Sequence, residues 1–494
     1  MFQNLFRIIG ITKAIILSSF IVHSQVPQSI TLQKTIKSAQ QSSLAYKIAI
    51  NLAKTSHWDY LVFRAGLRPK LAISGELPDY YRSISKITLP SGQNEFVPEN
   101  FINSYATLSL QQKVSATGGT IGLFSSLQRI QNLGQTSSRA FTSVPISLTY
   151  TQSNIFFNEL RFSKTLEQIK IKESERRYVE DLENIAFEAV GKYFNVLTAE
   201  TQMLLDTQNQ QSLDTLLKST LARNEIGTSD LNDVLQAKMS HLNAKNAVNI
   251  SQLRLATAKQ EFIRLLNMAR ESKIIVSVPE IPIIGKLETD VAIRYARMNR
   301  RYQVEFERRK LEAEIARKRI QAATTPSVFV RANLGVTQTG RTVADSYTDL
   351  FRNQYFTVGF NIPILDWGVN KASRKKAEAM VDLEKSIIEQ ETLSYEQEVE
   401  SEVMKWNLLV ERMKNLTEVE KLAEHRYGIA KQKYLLGTLN FTDFNIAQQE
   451  KDRAVTDSIN GLRESWLSYY KLRRMTLYDF VYDRPIAIEE LILD

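Results

Sequence analysis

Between residues 364 and 484 the chain holds no proline, and its apolar residues recur every three or four positions. Val399, Val403, Trp406, Val410 and Met413 step by 4, 3, 4 and 3; Tyr427, Ile429/Ala430 and Tyr434 resume the rhythm. That spacing predicts a helix with a coiled-coil-like seam. A second proline-free span covers 146–278, and both spans are rich in Ala, Leu, Glu, Gln and Lys, which favour helix. The predicted rods run from about Asn158 to Ile226 and from about Asn370 to Leu436. At ~1.5 Å per residue each is roughly 100 Å long, far beyond an ordinary globular helix.

A similar sentence interrupts each rod: NEIGTSDLNDVLQAK at 224–238 and YLLGTLNFTDFNIAQ at 434–448. Gly227 and Gly437, Asp233 and Asp443, and Ala237 and Ala447 all differ by 210. Glycine takes the left-handed conformation that ends a helix. The polar residues that follow can cap the next one: Ser229, Asp230 and Asn232 in the first copy, Thr438, Asn440 and Thr442 in the second. Helix resumes through Val234–Leu266 and Phe444–Met475. Each copy is therefore the tip of a long antiparallel helical hairpin, and the hairpin has been written twice.

Ahead of each rod the period changes to two. SVFVRANLGVTQ (327–338) sets Val328, Val330, Ala332, Leu334 and Val336 against Phe329, Arg331, Asn333, Gly335 and Thr337. QYFTVGFNIP (354–363) sets Phe356, Val358, Phe360 and Ile362 against Thr357, Gly359 and Asn361. TSVPISLTYT (142–151) sets Val144, Ile146, Leu148 and Tyr150 against Ser143, Ser147 and Thr149, and KLAISGE (70–76) alternates more weakly. Such alternation predicts strands with one apolar face. Strands near ten residues long suit a tilted membrane strand, although a small soluble sheet alternates equally well. Two or so strands per half would leave bare edges, which cannot face lipid; closure would require several subunits. The halves differ in size. Pro69 to Ser153 spans 84 residues, and Pro326 to Pro363 spans 37. The additional 47 include YATLSLQQKV (105–114), a Gly118-Gly119 turn signal and TIGLFSSLQ (120–128), and read either as an added hairpin or as an outer loop.

The N-terminus adds a compartment. MFQNLFRIIGITK supplies Arg7 and Lys13, AIILSSFIV (14–22) is a short apolar core, and Val22 and Ser24 stand where a cleavage site should. This is a signal-peptide pattern over 1–24, too short for a membrane-spanning helix, which needs ~20 residues. With no Cys, disulfides, thiolate catalysis and lipidated Cys are excluded. His23, His57, His241 and His425 form no ligand pair, and no acid/base or nucleophile constellation appears; an enzyme or a cofactor protein is not expected. The net charge is +9, and the densest basic run, 293–320, carries Glu305, Glu307, Glu312 and Glu314 among its Arg and Lys. That mixture reads as a solvated helix face, and export argues against nucleic acid as partner.

Together these residues resemble the TolC-like outer-membrane efflux proteins, the outer membrane factor family. The likeness covers nearly the whole mature chain. It rests on the two repeats, on the paired tips, and on NIPILDWGVNKA (361–372), which looks like the family's strand-to-helix junction through Pro363, Asp366 and Gly368. Ser153, Asn154 and Ile155 hold the equivalent place 210 residues earlier. The resemblance implies a mostly α fold with a membrane β-barrel portion. Long helical hairpins would form a periplasmic α-barrel, and about four strands per chain would join in a trimeric, twelve-stranded barrel. The expected division is a first repeat at 25–278 (strands near 69–152, hairpin near 158–268), a second at 279–475 (strands near 327–363, hairpin near 370–475) and a tail at 476–494.

The implied function is a passive exit channel for small toxic molecules or secreted substrates, in a tripartite efflux or type I secretion system. Its partners would be a homotrimer's other copies, a periplasmic adaptor, an inner-membrane RND or ABC transporter and outer-membrane lipid. By the same resemblance Gly227, Asn232, Asp233, Tyr434, Gly437, Asp443 and Ile446 lie at the periplasmic gate and hairpin tips. Tyr434 would tie its hydroxyl to Asp233 or Asn232, and three copies of Asp443 would make a carboxylate ring. Two positions depart from the family pattern: Leu439 stands where the characterised gate has Arg, and Ile446 where it has a second Asp. Simple helix capping also accounts for Asp233 and Asp443. An exported coiled-coil scaffold is the competing reading; it needs the rods but not the alternation at 142–151 and 354–363.

Overall fold

The computed structural model describes residues 28–134, 137–228, 230–272, 274–282 and 285–486. The expected signal peptide at 1–24, Ser229 and the end of the tail lie outside them. In chain order the elements are β1 (Gln28–Ile30), α1 (Leu32–Ser42), α2 (Leu44–Gly66), β2 (Lys70–Thr88), β3 (Asn94–Lys113), β4 (Thr120–Asn132), β5 (Ser138–Gln152), α3 (Glu159–Glu225), α4 (Leu231–Leu265) and β6 (Ile274–Val276). There follow α5 (Thr289–Asn299), α6 (Arg301–Thr324), β7 (Ser327–Gly340), β8 (Phe351–Asn361), α7 (Val369–Leu435), α8 (Phe441–Thr476), β9 (Tyr478–Asp479) and β10 (Arg484–Pro485). The fold is mostly helical, as the periodicity predicts. The duplication is literal: α3 and α7 each have 67 residues and start and end 210 apart.

The chain divides into two compact units. The first comprises residues up to Ala39 and Ala189–Glu280. There β1 pairs with β6 in parallel. The fully buried Tyr193, Phe194 and Phe262 form its core. The Tyr193 hydroxyl donates to the Ile30 carbonyl at 3.2 Å, and burial pushes its pKa up.

The second unit comprises Gln40–Glu188 and Ile281–Asp494. It contains one antiparallel sheet of six strands in the order β2-β3-β4-β5-β7-β8. The expected strand count was about four. The additional residues of the first half form strands: β3 and β4 pair from Phe101↔Asn132 to Lys113↔Thr120. Their turn at 114–119 is held at the helix end of the sheet. Asn158 donates to the carbonyls of Ser115 (2.8 Å) and Ala116 (3.0 Å), and Gln152 donates to that of Thr117 (2.6 Å).

Helices α7 and α8 pack along the predicted seam: Val399, Val403, Trp406 and Met413 are buried. Leu409 is buried at the next seam position, and the expected Val410 beside it is half-buried. The basic run is not a solvated face. Arg308 of α6 pairs with Glu173 of α3 at 2.6 Å, and Arg309 reaches Glu384 and Glu391 of α7, each at 2.6 Å. Its charges tie neighbouring helices together. No described helix is long and apolar enough to cross a membrane.

Candidate functional site

The sheet is inside out. In register, Leu71 of β2 stands beside Leu110, Leu110 beside Leu123, Leu123 beside Leu148, and Leu148 beside Leu334. This row of five leucines crosses five strands, and every one is exposed, Leu71 by 65%. Below it run Ala332 with Phe356, Val330 with Val358, and Val328 with Phe360. The opposite face is polar along Lys70, Gln111, Gly122, Thr149, Asn333 and Tyr355. Its residues are the sheltered ones: Ser147 and Asn333 are buried. Ser147 donates to the Asn333 side chain at 2.5 Å, and Asn333 donates on to the Asn353 carbonyl at 3.0 Å. A water-soluble sheet would turn the other way. Apolar side chains standing outward over a satisfied polar face suit hydrocarbon outside and water inside.

From β8 the chain passes through Pro363 into α7. Asp366 arranges the bend. Its carboxylate accepts from the backbone N–H of Gly368 at 3.0 Å and of Asn370 at 2.8 Å. These bonds favour the charged form and lower its pKa. Gly368 takes φ +90°, where a side chain would be strained, and is the N-cap of α7. Trp367 is held at φ +54° and left 89% exposed, with Ile364 and Leu365 also exposed. The predicted junction residues therefore act together. An exposed tryptophan directly below an outward apolar face suits the membrane–water interface.

The two tips share one backbone design. Gly227 takes φ +75° and Gly437 φ +80°. In each, the following Thr closes the helix twice: Thr228 onto the Arg223 carbonyl and Thr438 onto that of Lys433, by N–H and by hydroxyl. One residue caps each returning helix, Asp230 for α4 and Asn440 for α8. Asn232, Thr438 and Thr442 do not cap. The Asp443 N–H donates to Asn440 Oδ1 at 2.8 Å, and Asn440 Nδ2 donates to the Asp443 carboxylate at 3.0 Å. Asp443 and Ile446 are exposed one helical turn apart. Asn232 is exposed and Asp233 half-buried.

The packing of the tips differs. Tyr434 is buried in its own hairpin, 5.3 Å from Phe444 and 6.1 Å from Phe441 between ring centroids, with Tyr427 6.0 Å from Phe444. The positions 210 earlier are Asn224, Val234, Leu231 and Leu217, so the first tip has no aromatic clamp.

Sequence reasoning missed a buried charge cluster at the base of the second hairpin. Arg473 of α8 grips Glu183 of α3 through two bonds of 3.0 Å and also contacts Asp479. Tyr469 donates to Asp479 at 2.8 Å. Burial raises the pKa of Glu183, Tyr469 and Tyr470, while the facing carboxylates raise that of Arg473. The residues are far apart in sequence, and nothing in their spacing foretells the contact.

Residues 302–474 match the model of the outer membrane efflux protein family. Over that stretch the chain is similar to the outer membrane efflux proteins. The same fold occurs in the CmeC outer membrane channel of Campylobacter jejuni, 14% identical, with TM-score 0.66 over 92% of this chain and 87% of that one. It occurs in the outer membrane protein VceC of Vibrio cholerae, 14% identical, with TM-score 0.64 over 90% and 95%. It also occurs in the open-state MtrE outer membrane channel of Neisseria gonorrhoeae, 16% identical, with TM-score 0.59 over 90% and 88%. No curated protein sequence matches. At 14–16% identity these likenesses show a shared fold.

Proposed function

We propose that this TolC-like protein is the exit duct of a tripartite efflux or type I secretion system, built from three copies. It would work with a periplasmic adaptor and an inner-membrane transporter of the RND or ABC type. The observation that carries the reading is the inside-out sheet set on helices of 67 residues. At ~1.5 Å per residue such helices are about 100 Å long, against a bilayer core of ~30 Å. A sheet with lipid outside and water inside needs closing, and one chain leaves it open. The competing scaffold would need the rods but would gain nothing from outward leucines.

The division into repeats at 25–278 and 279–475 belongs to this reading, because identical offsets support two equivalent hairpins per chain. So does a gate at the tips. Exposed Asp443 would form the carboxylate ring and exposed Ile446 an apolar ring beside it, where dewetting can gate. The Asp443 carboxylate also accepts from the Asn440 side chain that caps α8, and the two roles can coexist. Burial of Tyr434 among Phe441 and Phe444 favours a clamp inside its hairpin over a link through its hydroxyl to Asp233 or Asn232.

The test is the particle itself. Outer membranes carrying the full chain are extracted in detergent, and mass and shape are read by light scattering and electron microscopy. A hollow trimer is expected. A water-soluble monomer or a solid rod would remove the duct and leave the scaffold.

A further inference from the structure

We infer that three copies close an eighteen-stranded barrel, with β2 of each chain pairing to β8 of the next. The inference rests on the trimeric duct proposed above and concerns which edges meet.

Three observations point to it. First, β2 and β3 share the environment of the other four strands. Leu71 and Leu110 continue the leucine row, and Lys70 and Gln111 continue the polar row. Were this pair a ribbon in water, Leu71 (65% exposed) and Ile73 (75%) would face solvent for no gain. Placing such side chains in hydrocarbon is favourable. Second, the pair spans the sheet from its helix end. β2 follows α2 after three residues, and the turn from β3 to β4 is bonded to Asn158 and Gln152 at the foot of α3. Third, the free edges are β2 and β8. β2 runs away from the helices and β8 runs back toward them, so the edge of one copy meets the next antiparallel. With β2 and β8 at the rims, any closure omitting β2 and β3 would have to break the thirteen-rung ladder between β3 and β4. An unpaired strand edge in lipid would leave several backbone groups without hydrogen-bond partners, which the bilayer core cannot supply.

Three copies of six strands give eighteen. Barrel diameter rises roughly linearly with strand number, so the outer-membrane opening would be about half again as wide as a twelve-stranded one. Beyond β4, β2 and β3 continue together from Arg82↔Asn100 to Thr88↔Asn94. At ~3.4 Å per residue, three such hairpins would stand about 20 Å above the shorter strands around the mouth.

The chain has no Cys, so introduced pairs report without background. Cysteines are scanned along 71–76 of β2 against 353–358 of β8, and in a parallel set along 121–126 of β4 against the same β8 positions. Oxidation is carried out in outer membranes, and the strands of the purified particle are counted by cryo-electron microscopy. Covalent dimers and trimers from β2–β8 pairs, with eighteen strands counted, are expected. Products from β4–β8 pairs, or a trimer with twelve strands, would overturn the eighteen-stranded closure while leaving the duct. A monomeric mass by native mass spectrometry would overturn both.

Discussion

Placing one lysine on either face of β8 separates a membrane sheet from a soluble one. Phe356 points outward beside Ala332 and is 71% exposed in the single chain, whereas Thr357 points to the polar side beside Arg331. The residues are neighbours, so depth in the membrane is nearly equal and only the face differs. A lysine on the lipid face of a barrel costs ~2–4 kcal/mol at the midplane and ~0–1 near the interfaces. Three copies would raise this to about 6–12 kcal/mol per particle for Phe356→Lys. Thr357→Lys adds a positive charge opposite Arg331, which costs ~0.2–1 kcal/mol per copy.

The strand also supplies a gradient. At ~3.4 Å per residue and a tilt near 40°, four residues separate Phe360 from Phe356 by about 10 Å of depth. β8 ends at Asn361, so Phe360 lies near the periplasmic interface. The expected order of damage is Phe356→Lys, then Val358→Lys, then Phe360→Lys, with Thr357→Lys close to the parent. The assay is the amount of folded oligomer in washed outer membranes, read by the gel shift between unheated and boiled samples. Each 1.4 kcal/mol is a factor of ten in an equilibrium, so the first variant should leave almost none. Equal yields of Phe356→Lys and Thr357→Lys would refute the argument from the faces.

At the tip, Asp443→Ala should lower cation selectivity or conductance in single-channel recordings, and unchanged currents would remove the carboxylate ring. Asn440→Ala should cost about 1 kcal/mol of local stability by removing the α8 cap, seen as faster hydrogen exchange at the start of α8 and nowhere else. Arg473→Met would leave Glu183 buried without its partner, at roughly 3–5 kcal/mol; thermal unfolding should fall sharply, and a Glu183→Met second change should recover much of the loss. At the junction, Asp366 has a lowered pKa, so its stabilisation is present above the ordinary carboxylate pKa and lost as pH falls through the lowered one. Exchange of the Gly368 and Asn370 amides should therefore lose protection in acid, and Asp366→Ala should abolish that pH dependence.

The helices were legible because their signals are local. Missing prolines, a 3-to-4 apolar step and a Gly-Thr pair all act within a turn or two, and a duplication repeats each of them at a known distance. The same holds for Asp366, whose bonds reach only to Gly368 and Asn370. The caps were legible only as a set. Any of three polar residues could accept from the new helix, and the backbone turn at Gly227 or Gly437 decides which one stands at the right angle. It selects Asp230 and Asn440.

What the sequence hid depends on partners far along the chain. β3 carries Leu108 and Leu110 outward, but its next outward residues are Ala106 and Ser104, so the alternation fades. The strand declares itself only when Leu110 is laid between Leu71 and Leu123. The Glu183–Arg473 bond joins residues 290 apart for the same reason. The unequal halves then acquire a physical meaning. Both repeats make a long helix of the same length, 67 residues. The 47 additional residues fall wholly on the strand side, where two more strands can join a sheet without disturbing the helices below. A duplicated hairpin keeps the long helices equal in length, while the sheet, whose edges β2 and β8 are unpaired within the chain, can widen.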